Sequence, residues 1–372
     1  MDFRIELRDK TFKLKEVLDS EALDVSWSYS SVGGCGNFNF MLPRKRFGER
    51  ALTGESNIRI YRRDRDTQSH ILRFQGLIEN KQPSFEGNSE RIPVSGHGYV
   101  IQLKRIYLNN VPYTSQEASV IVKDILDNYV VPNTDVTYDA SDIEATSFTF
   151  DSVQFNDNAL DSIEKIAKTV GGIEWGVDRN RKFFFKARST SIGFRFIGGK
   201  NLINFIDNQD FGQIINQVYV QGAQVGGTYF TFGAYSNESS KIKYNLRESI
   251  IQNSSIKTES VASQFATAYL DENSEVIRRA SGTLVDYDAL LEATTPLTLF
   301  AEVGRKHKYG QKKYGTILYQ GIVSRLVNRV NYKLSNNGGL TVSVELDHLR
   351  PKTSEIISQL KYQLDQQRSA AL

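Results

Sequence analysis

Cysteine is almost absent from this chain: Cys35 stands alone among 372 residues. No intrachain disulfide can form and no cysteine-based zinc site can be built, which fits folding in a reducing compartment. Histidine is nearly as scarce. His70, His97, His307 and His348 lie far apart, none with a second His or Cys at ligand spacing, so neither a metal nor any other cofactor is expected. No stretch approaches the length of apolar residues that a membrane-spanning helix needs, and Met1 to Glu6 lacks the apolar core of a signal peptide. Neither sign of charge dominates: 46 basic residues face 43 acidic ones, net +3. A dedicated duplex-DNA binder is usually more lopsided, because neutralising phosphates drives its affinity; a local basic patch remains open. Gly33-Gly34-Cys35-Gly36 is not followed by Gly-Lys-Ser/Thr, so it is no phosphate loop.

What is present is the composition of an ordinary folded protein, 40% hydrophobic and 24% charged, with room for two or three domains. Strand signals dominate. Short segments alternate apolar and polar residues between Gly, Asn, Asp or Ser, as in Phe3 to Leu7, Phe38 to Leu42, Ile58 to Tyr61 and Phe183 to Lys186. Leu340 to Leu346 is the clearest, with four apolar residues on one face and three polar on the other, the pattern of a sheet buried on one side. Helices are few. One is expected over 115–129, with Thr114 and Glu117 at capping-box spacing and Pro132 just beyond. Others are expected over 158–170, capped by Asp157 and stopped by Gly171-Gly172; from Thr258, with Val261, Phe265 and Tyr269 on one stripe; and after Pro351. The stretch 228–240 reads as a long hairpin or loop. The fold class is therefore mainly β with a smaller α+β part.

Two segments match. Ile58-Arg59-Ile60-Tyr61 precedes Phe74-Gln75-Gly76-Leu77-Ile78, and Leu297-Thr298-Leu299-Phe300 precedes Tyr319-Gln320-Gly321-Ile322-Val323. Each pair leads into an alternating strand, so a duplicated β-barrel or sandwich module is expected. The glycine would allow a bend or bulge, and the aromatic before it would cover the gap. The division is a first barrel over 1–106, an inserted α+β domain over 107–190, a second barrel over 191–350 and a C-terminal helix over 351–372.

The ordered set of features resembles the baseplate and tail-tip hub proteins of tailed phages and related contractile injection systems. The first module carries Gly36 to Phe40, Ile58 to Tyr61, Phe74 to Ile78 and Val94 to Tyr99. In the second, Asn216 to Gly222 looks like the family's opening strand, followed by the Val261–Leu270 helix and the strand 297–300. No fused peptidase or fibre is implied at the end. The resemblance implies two tail-tube-like modules per chain, so that a homotrimer presents six. Such a ring would join a six-fold tail tube or distal tail ring protein to a three-fold spike or fibre protein. It would also line a channel through which DNA or a tape-measure protein passes. The protein would be a late structural component of the virion tail, assembled in the host cytoplasm and without enzymatic activity.

Chemistry finds little foothold. Cys35 in its glycine turn has no base that the sequence places nearby, and no carboxylate pair stands out from solvated helix faces. Arg44-Lys45-Arg46 and Arg50 flank a turn, and Arg59, Arg62, Arg63 and Arg65 lie on a strand and its hairpin, diluted by Asp64 and Asp66. Arg305, Lys306, Lys308, Lys312 and Lys313 surround Tyr309 and Tyr314 in a long loop and are the expected contact with an acidic partner or the channel. Ile357, Leu360 and Leu364 form a stripe too thin for a core and are the expected inter-subunit seam. A carbohydrate-binding module using Trp27, Trp175 and Tyr235 is the competing reading.

Overall fold

The computed structural model describes residues 3–18, 22–43, 56–63, 68–86, 89–146, 148–170, 172–188, 192–198, 201–225, 228–252, 259–285, 300–305, 323–334 and 339–347. It is mainly β, as the alternation predicts. The first module consists of β1 (Phe3–Arg8), β2 (Leu14–Val17), β3 (Leu23–Ser30), β4 (Val32–Pro43), β5 (Asn57–Arg63), β6 (His70–Lys81), β7 (Ser84–Glu86) and β8 (Ser89–Gly98). Its main strands pair in the order β3-β4-β8-β6-β5-β1. Phe3, Ile5, Leu7, Trp27, Phe38, Phe40, Ile58, Ile60 and Phe74 point inward and are buried, as period-two alternation on a curved sheet requires.

Before the second module come β9 (Val111–Glu117), α1 (Ala118–Ile125), β10 (Thr149–Phe155), α2 (Ala159–Val170), β11 (Ile173–Val177) and β12 (Phe183–Ala187). The second module then uses β13 (Ile192–Gly198), β14 (Leu202–Asp210), β18 (Ile277–Val285), β19 (Phe300–Arg305), β20 (Val323–Leu334) and β21 (Leu340–Asp347). Its order is β14-β18-β21-β20-β19-β13, and a contact between Gly198 and Leu202 brings β13 back to β14. Strand for strand this is the order of the first module, with β14 in the place of β3, β18 of β4, β21 of β8, β20 of β6, β19 of β5 and β13 of β1. The sixth strand differs in sense: β1 runs antiparallel to β5, whereas β13 runs parallel to β19.

A shared irregularity fixes the register between the copies. β6 bulges between Ile78 and Asn80 against β8, and β20 bulges between Val327 and Arg329 against β21. With the bulges superimposed, Gln75 falls on Ser324 and not on Gln320, which lies outside the described residues. The sequence alignment of the two Gln-Gly pairs is thus displaced. Nor does Gly76 sit at a bulge. A Cβ there would lie 2.6 Å from the His97 carbonyl oxygen, so Gly76 admits the close approach of β8, while Gln75 is buried and donates to the Tyr99 hydroxyl at 3.2 Å.

Two further layers stand on this frame. Segment 107–188 folds around a core of Ile121, Ile125, Phe150, Ile163, Trp175 and Phe183, to which Tyr99 and Leu103 from the end of the first module also belong. Its first helix begins later than the capping-box spacing suggests. Thr114 to Gln116 belong to β9, and Glu117 caps α1, accepting from the Ser119 amide at 3.1 Å. A turn of π-helix and a 3-10 turn containing Pro132 continue it to Asn133. α2 is capped by Asn158, which accepts from the Asp161 amide at 2.9 Å; Asp157 instead pairs with Lys165. The second layer lies within the stretch 191–350 expected to form the second barrel. β15 (Gln217–Val225), β16 (Thr228–Ser236) and β17 (Glu248–Gln252) form their own three-stranded sheet with α3 (Glu238–Tyr244) and α4 (Glu259–Asn273). Asn216 to Gly222 therefore does not open the second barrel. Phe265 and Leu270 of α4 close a small core on Val218 and Val220. This layer is inserted between β14 and β18, where the first module has only a turn at Ser31.

Candidate assembly interface

The two modules meet edge to edge. β3 pairs antiparallel with β20, with Ser28 opposite Asn331 and Trp27 opposite Tyr332, so one sheet runs through both. Aromatic packing seals the seam. Trp27 stacks on Tyr332 at 5.1 Å between centroids and 10° between planes, and Tyr29 meets Tyr332 edge-on at 6.0 Å. Both geometries suit the ring quadrupoles. All three side chains are buried, and a single apolar core extends across the seam from Phe3 to Leu346.

The 107–188 layer is fastened to the first module beside that seam. β11 lies parallel to β4, Gly176 opposite Gly33 and Val177 opposite Gly34. The contact is backbone on backbone. A Cβ on Gly176 would sit 2.3 Å from the Gly33 carbonyl carbon, and one on Gly34 would sit 2.4 Å from the Val177 oxygen, with Gly34 already at φ +74°. The Gly33-Gly34-Cys35-Gly36 motif is thus a docking groove. Cys35 within it is fully buried, and burial pushes its thiol well up, away from the thiolate a nucleophile needs.

From β11 the chain turns at Asp178, which accepts from the amides of Asn180 at 2.7 Å and Lys182 at 2.8 Å. The turn carries Arg179, which is buried and whose charge acts on Tyr29, Cys35 and Tyr332. One residue of this layer therefore reaches the seam between the barrels. Sequence reading missed it, since an arginine in an Asp-Arg-Asn-Arg turn looks solvated. Glu174, on the face of β11 opposite Trp175, is buried with Oε1 lacking a hydrogen-bond partner. Burial raises its pKa to about 8 against the pull of Arg188.

Of the residues singled out from sequence, Arg305 ends β19 with its backbone opposite Gly198. Lys306, Lys308, Lys312, Lys313, Ile357, Leu360 and Leu364 lie outside the described residues. Arg59 and Arg62 are packed rather than freely solvated, over the rings of Phe12 at 5.7 Å and Phe3 at 5.9 Å. The aromatics of a sugar platform do not converge. Trp27 and Trp175 are in two different cores, and Tyr235 donates to Glu259 at 2.5 Å. A polar cleft of about 470 Å³ lies between the first module and the 107–188 layer, with Lys10, Gln102, Arg105 and Asp135 in its lining. Gln102 and Asp135 are occupied with each other at 2.9 and 3.0 Å. Among the described residues no group of His, Cys, Asp and Glu could hold a metal, and no helix is long and apolar enough to cross a membrane.

Among the described residues β14 has a partner on its outer side only at Leu202, and it exposes Ile203 (68%) and Ile206 (59%). β6 follows β5 to Leu77, opposite Asn57, and the Ile78 amide then donates to the Ser56 carbonyl at 2.9 Å.

No family model matches the sequence, and no curated protein matches it. Solved structures do match, over nearly the whole chain. The 43 kDa tail protein of prophage MuSo2 from Shewanella oneidensis superposes with a TM-score of 0.64 at 14% identity, covering 95% of this chain and 99% of that one. A tail protein from Neisseria meningitidis MC58 gives 0.62 at 10% identity, with 95% and 99% covered. Prophage tail protein gp18 from Listeria monocytogenes EGD-e gives 0.53 at 12%, with 96% and 98% covered. The chain has the fold of phage tail proteins.

Proposed function

We propose that this chain is a structural hub of a phage-type tail tip or baseplate, three copies of which close a pseudo-six-fold ring. The observation that carries the proposal is the pair of modules with one strand order, welded in a single sheet by β3 and β20. The fold similarity to tail proteins supports the setting. Two equivalent units held at a fixed angle are what a three-fold assembly needs to meet a six-fold neighbour, and closed rotational symmetry is the rule for such rings. In this reading the modules over 1–106 and 191–350 form the ring wall around a channel for DNA or a tape-measure protein. The 107–190 layer stands at its periphery. The tail tube or distal tail ring protein lies above and the spike or fibre below. The basic cluster Arg305, Lys306, Lys308, Lys312 and Lys313 meets acidic groups of a neighbour or faces the channel, and the stripe Ile357, Leu360 and Leu364 docks on an adjoining chain. Native mass spectrometry of the hub released from particles tests this: a mass of three copies is expected, and a mass of two, four or six copies would overturn it.

A further inference from the structure

Where the first module meets the 107–188 layer, three cations lack a counter-charge among the described residues. Phe12, at the tip of the β1–β2 hairpin, receives two guanidiniums. Arg181, from the turn between β11 and β12, lies 4.2 Å from its ring centroid, and Arg59 of β5 lies 5.7 Å from it. Arg181 also stands over Tyr99 at 5.9 Å. Among the described residues neither guanidinium meets a carboxylate or a hydrogen-bond acceptor, and Arg59 Nε is buried with no partner. Lys10, two residues before Phe12, is exposed and is likewise without an ion pair among the described residues. Like charges gathered on one ring repel, and each guanidinium carries a fork of donors with nothing to donate to.

The groups around them are fixed in place. Asp9 Oδ1 accepts from the amides of Thr11 and Lys13 at 3.0 Å each, Arg8 donates to the Phe12 carbonyl at 2.7 Å, and Asn57 donates to the Asp9 carbonyl at 2.8 Å. Phe12 and Arg181 both hold left-handed backbones, at φ +62° and +67°, which bulky side chains adopt only where the surroundings impose it. Burial pushes the Tyr99 hydroxyl up, and the charges of Arg181 and Arg59 pull it back. The acids on the surrounding elements are already engaged: Glu6 with Arg4 and Arg8, Asp9 with Lys15, Glu79 with His97 and Arg105, Asp135 with Gln102. Asn57 and Arg59 share one face of β5, and Asn57 and Lys10 line the cleft of about 470 Å³. The cations therefore adjoin that cleft, whose apolar lining is Leu77, Ile106 and Pro132.

We infer that this cleft receives an extended peptide segment of a protein partner, whose carboxylates meet Lys10, Arg59 and Arg181. Guanidinium forks match carboxylates in geometry as well as charge. The apolar lining takes the side chains between the acidic ones, and a cleft of this size at the junction of two folded units is where such ligands bind. A single strand of nucleic acid fits less well. It is held by bases stacking on open aromatic faces, and here the rings of Phe12 and Tyr99 are covered by guanidiniums. The occupant is thus an acidic, partly apolar segment. The site goes beyond the ring reading and stands whether or not three chains close.

Fluorescence anisotropy of the full chain with a labelled, end-capped peptide alternating glutamate and leucine tests it. Binding is expected at low ionic strength and should weaken as salt is added. Lys10→Ser should weaken it several-fold and Arg181→Asn about tenfold. Asparagine tolerates the left-handed backbone at 181, and Lys10 is exposed, so both variants are expected to melt with the parent; if Arg181→Asn does not fold, Lys10→Ser decides alone. Equal binding by folded variants and parent would overturn the inference, as would no binding at all. A peptide with glutamine in place of glutamate that binds as tightly would overturn it too, by removing the carboxylates from the contact. So would a single-stranded oligonucleotide that binds more tightly than the peptide and is lost in the same variants, since the site would then belong to phosphates. None of these outcomes depends on how many chains form the ring.

Discussion

Glu174 carries the clearest electrostatic cost in the described chain. Its folded pKa of about 8 lies above its ordinary value of 4.5, so between those values the unfolded chain gives up its proton while the folded one keeps it. Stability attributable to this group therefore falls as pH rises through that window, and the full penalty applies above it. Glu174→Gln is expected to stabilise the protein by roughly 2–4 kcal/mol at pH 9 and hardly at all at pH 4. Melting curves of both proteins across that range check it; a constant difference at all pH values would mean that Glu174 is not a buried acid. Trp27 acts in the other direction. Trp27→Ala removes a fully buried ring at the seam and is expected to cost about 3–5 kcal/mol. A double-mutant cycle with Tyr332→Ala in denaturant unfolding should show coupling of about 0.5–1.5 kcal/mol, and additive losses would mean the stack contributes nothing of its own.

At the scale of elements, β4 and β11 depend on two glycines. Gly34→Ala combines a left-handed backbone with a Cβ inside the Val177 carbonyl and should cost on the order of 3 kcal/mol. Because the clash lies between layers, protease cleavage or hydrogen exchange should rise first across β11 and β12; uniform loosening of the whole chain would argue against a local clamp. Single elements such as β1, β5 and β21 were legible from alternation alone, because one buried face writes a period of two into the sequence. Element boundaries decided by a side chain's choice of partner were not. Thr114 and Glu117 have the spacing of a capping box, yet Thr114 pairs in β9 and Glu117 caps alone. The duplication was legible as composition, but its register was not. Bulges at Glu79 and Asn328 are defined by the strands opposite, and no local sequence signal marks them. The 217–273 layer escaped for the same reason, since Val218-Tyr219-Val220 reads as any barrel strand until its partners are known.

At the scale of the molecule, the internal seam joins the two modules in one sheet over one core, and the remaining question is how chains join. The basic residues Arg305, Lys306, Lys308, Lys312 and Lys313 are expected to contribute by charge. Replacing all five with serine is expected to leave the melting temperature within about a degree or two of the parent and to weaken assembly most at low ionic strength, where screening is least. Equal assembly of mutant and parent across a salt series would reduce the cluster to solvated charges. The central claim concerns six equivalent modules from three chains, and cryo-electron microscopy of the intact tail tip addresses it most directly. The account predicts one ring of three chains in which the 1–106 and 191–350 modules alternate around the channel. A ring of six chains each contributing one module, or modules that stand off the axis, would contradict it.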